Sequence, residues 1–555
     1  MKNTLMVSAI ATLILSGCGG SSSDSGSSSS DTDNVNRSAM LENTENNSWF
    51  GEAKLNVSSA ADYTVEAGSA KNIILFVGDG MGISTVTAAR ILEGQLKGMD
   101  GEENVLSFGK FPFSGLAKTY NVDAQTPDSA GTMTAIMSGA KTDVGVIGVD
   151  EDIVRGDCST IAGNELMSAL EIAEIAGKST GVISTARITH ATPAATYAKS
   201  ADRNWEDVSD IEGDDDKVNC DVNDLPEDIA SQLVNFESNL EDRFPGLDVD
   251  GLEVVMGGGR RHFLPKDAAF NTIDAVSTVE GDRTDGRDLT AEWQSLYTDG
   301  NYVIDRAGFN AIDASTAEHI FGLFNESHMH YEADRHNDIA GEPSLREMTE
   351  KAIDVLDNNN DGFFLMVESG RIDHAHHAGS AYSALTDTIE FAEAVQAAVD
   401  ATDSEDTLII VTADHGHVFT IAGYPKRGNP ILGKVVNVGA EAPALASDGM
   451  PYTTLGYMNG RGFSHLGDET DADKGYGERI NPGRHDLLFI DTESAGFHQE
   501  ALVPLSSETH SGEDVGIYAM GPGASLVTST NEQNILFHIM DYAGLLTETA
   551  DNRLQ

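Results

Sequence analysis

Short apolar runs rich in β-branched residues recur along the chain, and most of them are followed by a stretch with helical periodicity. Each run ends in polar or glycine-rich residues, so the alternation predicts βα units that assemble into a mostly parallel sheet between helices. The predicted strands span residues 72–77, 181–185, 253–256, 363–367, 408–412 and 515–519. The predicted helices span residues 84–96, 165–176, 345–356 and 381–398. With 555 residues, 40% of them hydrophobic, the chain can bury the core of a large α/β sandwich.

The alternation stops between about residues 424 and 503, where glycine, proline and acidic residues dominate. Loops of this length are uncommon in compact domains unless they are functional or disordered. We therefore interpret this segment as an insertion on the main domain, which we expect to span residues 61–555.

The N-terminus carries Lys2, an apolar stretch over residues 5–15 and then Leu15-Ser16-Gly17-Cys18. A basic start, a short apolar core and small residues are typical of an export signal, here residues 1–17, which is too short to span a membrane. The ending resembles the bacterial lipobox, which implies cleavage before Cys18 and lipid on its sulfur. An ordinary signal peptide that happens to contain a cysteine is the alternative.

Residues 18–60 are rich in serine, glycine and aspartate, a composition typical of a flexible tether. We therefore expect an exported lipoprotein, periplasmic or on the cell surface. Gly19, in place of an acidic residue after the cysteine, favours the outer membrane by resemblance to known lipoproteins.

Acidic residues outnumber basic ones by 90 to 34, so the formal net charge is −56. They are scattered along the chain rather than gathered in one block, which is typical of a solvated acidic surface. A field of this sign repels nucleic acids, so we expect no nucleic-acid partner. We expect contact with a membrane only through the lipid anchor.

Two cysteines remain once Cys18 is set aside, namely Cys158 and Cys220. In an exported protein an even pair favours a disulfide, because the surroundings are oxidising. Two unrelated buried thiols are the alternative.

Acidic and histidine side chains cluster around the ends of the predicted strands, where open α/β sheets place their sites. Asp79 lies in a glycine-rich turn after the first strand, and a turn or cap role explains it equally well. Asp373 and His377 are four residues apart, so both can reach one ion from the same face of a helical turn. Asp414-His415 follows another strand, and His510 precedes the last strand. Together these groups predict a metal site.

The segment Thr126-Pro127-Asp128-Ser129 places a serine before a helical stretch. The N–H groups at the start of a helix favour an anion, so Ser129 is a candidate hydroxyl nucleophile. An ordinary helix cap at Asp128 or Ser129 is the alternative.

These segments, together with His190-Ala191-Thr192-Pro193 and Ala201-Asp202-Arg203-Asn204-Trp205, resemble the alkaline phosphatase family. The resemblance runs from about residue 71 to residue 546 and implies the α/β fold of that family with a crown-like or large-loop insertion. It implies hydrolysis of small phosphate monoesters through a phosphoserine at Ser129, with Arg203 holding the phosphate oxygens.

The same resemblance implies two zinc ions and one magnesium ion as cofactors. Their ligands would be Asp79, Asp414 and His415 for the zinc beside Ser129, Asp373, His377 and His510 for the second zinc, and Asp79, Thr192 and Glu368 for magnesium. The metals would activate Ser129 and stabilise the departing alkoxide.

His190 and His374 stand where the enteric bacterial type has an acid and a lysine, and both look like the vertebrate form. A calcium site of the vertebrate form is doubtful, because Asn325 replaces an acidic ligand although Glu342 is kept. By analogy with the family we expect a homodimer, and the insertion falls where relatives carry a crown-like subdomain or a large loop used in dimer contacts.

Three other classes compete with this interpretation. Arylsulfatases need a Cys/Ser-x-Pro/Ala-x-Arg motif that the Ser129 segment lacks, and phosphodiesterases lack the Arg203 segment. A non-enzymatic, metal-binding surface lipoprotein would be expected to have lost at least one site residue, yet all are present.

Overall fold

The computed structural model describes residues 68–221, 225–477 and 480–555. The expected signal peptide, the lipidation site at Cys18 and the tether through residue 60 lie outside the described residues. Within the described part of the chain, no helix combines the length and apolar character that a membrane span requires.

The described chain contains seventeen strands. In chain order they are β1 (Asn72–Gly78), β2 (Phe113–Lys118), β3 (Ser179–Arg187), β4 (Val254–Gly258), β5 (Asn301–Val303), β6 (Ile320–Leu323), β7 (Phe363–Ser369), β8 (Thr407–Ala413), β9 (Gly416–His417), β10 (Phe419–Ile421), β11 (Leu455–Gly460), β12 (Ser464–His465), β13 (Phe497–His498), β14 (Ala501–Pro504), β15 (His510–Ser511), β16 (Val515–Met520) and β17 (Thr530–Glu532).

Fourteen α-helices connect or cover these strands in the described residues. They are α1 (Ile83–Leu96), α2 (Ser129–Ser138), α3 (Ala169–Ile175), α4 (Ala191–Ala194), α5 (Val208–Gly213), α6 (Ile229–Val234), α7 (Phe236–Arg243), α8 (Leu289–Leu296), α9 (Arg306–Ala311), α10 (Leu345–Leu356), α11 (Arg371–His377), α12 (Ala381–Ala401), α13 (Ile535–Gly544) and α14 (Leu546–Arg553). Short 3-10 helices occupy Ser107–Lys110, Cys158–Thr160, Arg260–Phe263, Ala268–Phe270, Arg335–Asn337, Ala472–Gly477 and Ala524–Leu526.

Ten strands form one sheet in the order β17-β2-β16-β8-β1-β7-β3-β4-β6-β5. All run parallel except β16, which is antiparallel to both of its neighbours, β2 and β8. Strands β1, β7 and β8 are buried along their whole length, as expected for a parallel sheet covered on both faces. One helix group, α1, α10 and α12, and a second group, α2, α3, α13 and α14, pack against the sheet. The predicted α/β sandwich is confirmed.

All six predicted strands are present, and helix α10 has the predicted bounds. The predicted start of the next helix upstream, at residue 165, is wrong. Helix α3 begins at Ala169 because the Ser168 hydroxyl accepts the Glu171 N–H and the Glu171 carboxylate accepts the Ser168 N–H. This capping box stops the helix from extending further back.

The predicted disulfide is also confirmed. Cys158 and Cys220 are joined across a sequence separation of 62 residues.

The segment from 424 to 503 holds little regular structure among its described residues. It contains β11 to β13, the 3-10 helix Ala472–Gly477 and the start of β14. Strands β10, β11 and β14 form a three-stranded sheet of their own, separate from the main sheet.

Candidate active site

The candidate site lies at the carboxyl edge of the three central strands. Because β8, β1 and β7 are adjacent and parallel, their carboxyl ends meet at one place. Asp79 directly follows β1, Glu368 is near the end of β7, and Asp414 directly follows β8. All three carboxylates are completely buried, which requires compensating partners.

Asp79, Asp414 and His415 form a first cluster beside Ser129. The Nε2 atom of His415 lies 3.4 Å from Asp79 Oδ1 and 3.4 Å from Asp414 Oδ2. Burial, together with the charge of Asp414, raises the pKa of Asp79 well above its usual value. Asp79 Oδ2 has no hydrogen-bond partner in the described structure. These repelling carboxylates with an unpartnered oxygen are suited to a divalent cation.

Asp373, His377 and His510 form a second cluster. The Nε2 atoms of the two histidines are 3.1 Å apart, and each lies 3.4 Å from Asp373 Oδ1. Their Nδ1 atoms face backbone carbonyls, those of Glu508 at 2.6 Å and Pro127 at 2.8 Å. A carbonyl only accepts, so each Nδ1 carries the proton and both Nε2 lone pairs face the Asp373 carboxylate. This is the arrangement of zinc-ligating histidines.

His417 is a site residue that the sequence did not reveal. Its Nε2 lies 2.7 Å from Asp373 Oδ1 and its Nδ1 lies 2.6 Å from Glu508 Oε2. Burial alone would lower the pKa of His417, but Glu508 and Asp373 raise it to about 10. His417 therefore acts as a buried cation that orients the Asp373 carboxylate.

Asp79, His190 and Glu368 form a third cluster, with one ligand atom from each within 4.8 Å of the others. Burial raises the pKa of Glu368 to about 8. Glu368 Oε1 and the hydroxyl of Thr192 are both buried and without a hydrogen-bond partner in the described chain. Oxygen atoms of this kind suit a magnesium ion.

Ser129 lies beside the first cluster, at the N-terminus of α2. Its hydroxyl is 3.1 Å from His415 Nε2 and 3.4 Å from Asp79 Oδ1. Asp128 caps the helix by accepting the Gly131 N–H at 3.1 Å. The cap aims the first turn of the helix at the site, where its N–H groups favour an anion.

Asp128 also holds Arg203, which makes it a second residue that sequence reasoning missed. Arg203 Nη1 donates to Asp128 Oδ2 at 3.0 Å, and Arg203 Nη2 lies 3.2 Å from His190 Nε2. The planar guanidinium is thereby held next to Ser129 with the geometry that suits a phosphate.

His374 lies close to His190, with ring centroids 5.5 Å apart, and to His328, with centroids 4.0 Å apart. Burial and the adjacent Arg371 lower the pKa of His374 to about 3, so its imidazole is neutral. The structure thus places the predicted metal ligands, Ser129, Arg203, His190 and His374 in neighbouring clusters at one edge of the sheet.

Glu342, the acid expected near a fourth metal, is satisfied by nitrogen donors. Asn325 Nδ2 donates to Glu342 Oε1 at 2.8 Å, and the backbone N–H of His330 donates to Oε2 at 2.9 Å.

The fold and the site together define an α/β protein whose serine lies among donors suited to divalent cations. A family profile for alkaline phosphatase matches residues 70–546. The tissue-nonspecific alkaline phosphatase of Homo sapiens is 42% identical over 481 residues, 86% of this chain and 84% of that protein. The alkaline phosphatase of Gadus morhua is 40% identical over 485 residues, 87% of this chain and 93% of that protein.

A solved structure agrees on the fold. A variant of the alkaline phosphatase from the Antarctic bacterium TAB5, with magnesium bound, matches with a TM-score of 0.55 at 21% identity. The match covers 86% of this chain and 99% of that chain. The chain belongs to the alkaline phosphatase family and is an enzyme of that class.

Proposed function

We propose that this enzyme hydrolyses phosphate monoesters through a phosphoserine formed on Ser129, at a site that holds two zinc ions and one magnesium ion. The observation that carries the proposal is the position of the Ser129 hydroxyl, 3.1 Å from His415 Nε2 and next to two clusters of metal-type donors.

In the proposed reaction the Ser129 oxygen attacks phosphorus and the ester P–O bond breaks. The alcohol leaves with the electron pair of that bond and takes up a proton. A water molecule then attacks the phosphoserine, which releases inorganic phosphate and restores the hydroxyl. Arg203, held by Asp128, pairs with two phosphate oxygens through its planar fork. The N–H groups of the first turn of α2 favour the phosphate charge.

The ligand sets follow the three clusters. Asp79, Asp414 and His415 would hold one zinc ion. Asp373, His377 and His510 would hold the second, and Glu368 and Thr192 would hold magnesium together with Asp79. When bound, these cations lower the pKa of the serine hydroxyl and neutralise the charge that develops on the leaving oxygen. A variant of the TAB5 relative has magnesium bound, and we propose magnesium for the third ligand set by analogy.

The neutral imidazole of His374 would donate an N–H bond to a phosphate oxygen without adding a full charge, whereas His190 Nε2 would accept from Arg203 and help to hold its guanidinium. Burial and the charge of Arg203 lower the pKa of His190 well below its usual value. A neutral donor holds the phosphate product less tightly than a lysine would, which favours its release.

Export, lipid attachment at Cys18 and an outer-membrane location rest on the N-terminal sequence. We also propose a homodimer with contacts from the 424–503 segment. Large apolar side chains are exposed in that segment, among them Phe489 at 93%, Tyr424 at 87% and Val438 at 82%. Exposed apolar groups at this density are typical of an interaction surface.

The test is hydrolysis of p-nitrophenyl phosphate by the purified protein from neutral to strongly alkaline pH. We expect alkaline activity that EDTA abolishes and that zinc with magnesium restores. Ser129→Ala should keep its metals and its fold but lose turnover, and only the unmodified enzyme should trap phosphate on the Ser129 peptide after acid quenching. Turnover of sulfate esters or phosphodiesters, with none of the monoester, would reject the proposal.

A further inference from the structure

Arg371 determines which nitrogen of His374 carries the proton. Its Nη1 atom donates to His374 Nδ1 at 3.1 Å. A guanidinium has only donors, so Nδ1 must be the acceptor. In the neutral imidazole the single proton is therefore on Nε2, and that N–H is available for a substrate oxygen.

Arg371 is itself held by a residue of the 424–503 segment. Its side chain is only 5% exposed, and its Nη2 donates to Asp473 Oδ2 at 2.7 Å. The guanidinium lies over the ring of Tyr331 with a carbon-to-centroid distance of 3.7 Å. The Tyr331 hydroxyl donates to the other oxygen, Asp473 Oδ1, also at 2.7 Å. One carboxylate thus fixes both the guanidinium and the ring against which it stacks.

Asp473 lies on the 3-10 helix Ala472–Gly477, which is not part of the ten-stranded main sheet. It is 102 residues from Arg371 in the chain. The rings of His190 and His328 also lie near His374, and neither forms a hydrogen bond to His374 Nδ1 in the described structure. The orientation of the imidazole therefore depends on Arg371, and that of Arg371 on Asp473.

We propose that Asp473 is a positioning residue for the phosphatase reaction. Through Arg371 it holds His374 in the Nε2–H tautomer and aims that N–H at a phosphate oxygen of the substrate. The proposal deepens the proposed function and rests on it for the role of His374. It also gives the 424–503 segment a part in phosphate binding within its own chain.

The kinetic test is Asp473→Asn, assayed with p-nitrophenyl phosphate. The amide nitrogen of asparagine cannot accept, so either Arg371 or Tyr331 loses its partner. We expect kcat/KM to fall about tenfold, mostly through a higher KM, because loss of a residue that orients a site side chain typically costs about this much. The inhibition constant of inorganic phosphate should rise by the same factor. Asp468→Asn, the same change at an exposed position of the segment, should leave both constants unaltered.

A double-mutant cycle separates positioning from general damage. In a His374→Ala background, Asp473→Asn should have no further effect on KM or on phosphate inhibition, because the group it positions is gone. An equal loss in both backgrounds would overturn the proposal, as would a kcat/KM for Asp473→Asn that matches the unmodified enzyme.

The tautomer can be measured without turnover or a variant at Asp473. Long-range proton–nitrogen spectra of the ¹⁵N-histidine-labelled protein distinguish Nε2–H from Nδ1–H, and the His374 signals are those missing from His374→Ala. We expect Nε2–H in the unmodified protein; Nδ1–H would refute the positioning argument. A protein with the expected tautomer but no phosphatase activity would reject the proposed function and leave the Arg371–His374 geometry supported.

Discussion

Asp128 has two roles that one pair of substitutions can separate. Its Oδ1 atom caps α2 through the Gly131 N–H, and its Oδ2 atom accepts from Gly145 N and from Arg203 Nη1, each at 3.0 Å. Asparagine is as good an N-cap as aspartate. Asp128→Asn should therefore keep the helix start but lose the charge and the Oδ2 acceptor that serve Arg203 and the Gly145 N–H.

The expected size of the change in KM follows from the side-chain entropy that Arg203 regains when Asp128 no longer restrains it. Its side chain is 19% exposed and that of Asp128 is 13% exposed, so the pair is mostly shielded from water. An unrestrained arginine loses up to about 2 kcal/mol of rotamer entropy when it binds phosphate. Each 1.4 kcal/mol is about tenfold in affinity. We therefore expect Asp128→Asn to raise KM, and the inhibition constant of phosphate, by about 10- to 30-fold with kcat little changed.

Asp128→Ala should show the same kinetic change and a further loss of stability of about 1 kcal/mol from the missing cap. The control is Asp305→Ala, because Asp305 caps α9 through the Gly308 N–H at 2.7 Å, away from the site. This control should lose stability without a change in KM. The assays are steady-state kinetics and thermal unfolding. The reasoning is refuted if Asp128→Asn leaves KM unaltered, or if its KM effect persists in an Arg203→Ala background.

Three further outcomes are expected. Glu174 and Glu253 both accept hydrogen bonds from Thr180, and burial raises the pKa of Glu253 from 4.5 to about 8. Between these two pKa values the folded state retains a proton that the unfolded chain releases, so the free energy of unfolding falls as the pH rises. Glu253→Gln should therefore raise the Tm more at about pH 9 than at about pH 5. An equal change in Tm at both pH values would contradict this. Reducing the Cys158–Cys220 disulfide, with its separation of 62 residues, should cost about 4 kcal/mol in denaturant unfolding, and a double serine variant should not respond to reductant. With a net charge of −56, the protein repels a phosphate dianion, so KM should fall from dilute buffer to seawater-like salt, whereas a flat or rising KM would count against screening.

The sequence was most informative where one physical rule determined both structure and site. Apolar runs with helical spacers predict a parallel sheet, and the carboxyl ends of its strands locate Asp79, Glu368 and Asp414. His510 does not fit that rule, because it precedes strand β16. It reaches the site because β16 runs antiparallel, so its amino end lies at the same edge as the carboxyl ends of its neighbours. The direction of a strand relative to its neighbours cannot be read from a single sequence.

The missed residues depend on contacts between distant segments. His417 enters the site because β9 pairs with β15, which joins residues more than ninety positions apart. The sequence around Asp128 predicts a helix cap, and nothing in it indicates the contact with Arg203. Asp473 lies in a segment without periodicity, where the pattern predicts no position for any side chain.

The position of β1 in the sheet limits how early the enzyme can fold during synthesis. Strand β1 lies near the beginning of the described chain, yet its two neighbours are β7 and β8, and Asn72 bonds to Phe363, 291 residues later. Until that stretch has been synthesised, this apolar strand lacks both of its sheet neighbours and is a target for chaperones. The first and last metal-ligand candidates, Asp79 and His510, come together later still. A nascent or truncated chain that lacks His510 would therefore have an incomplete candidate metal site.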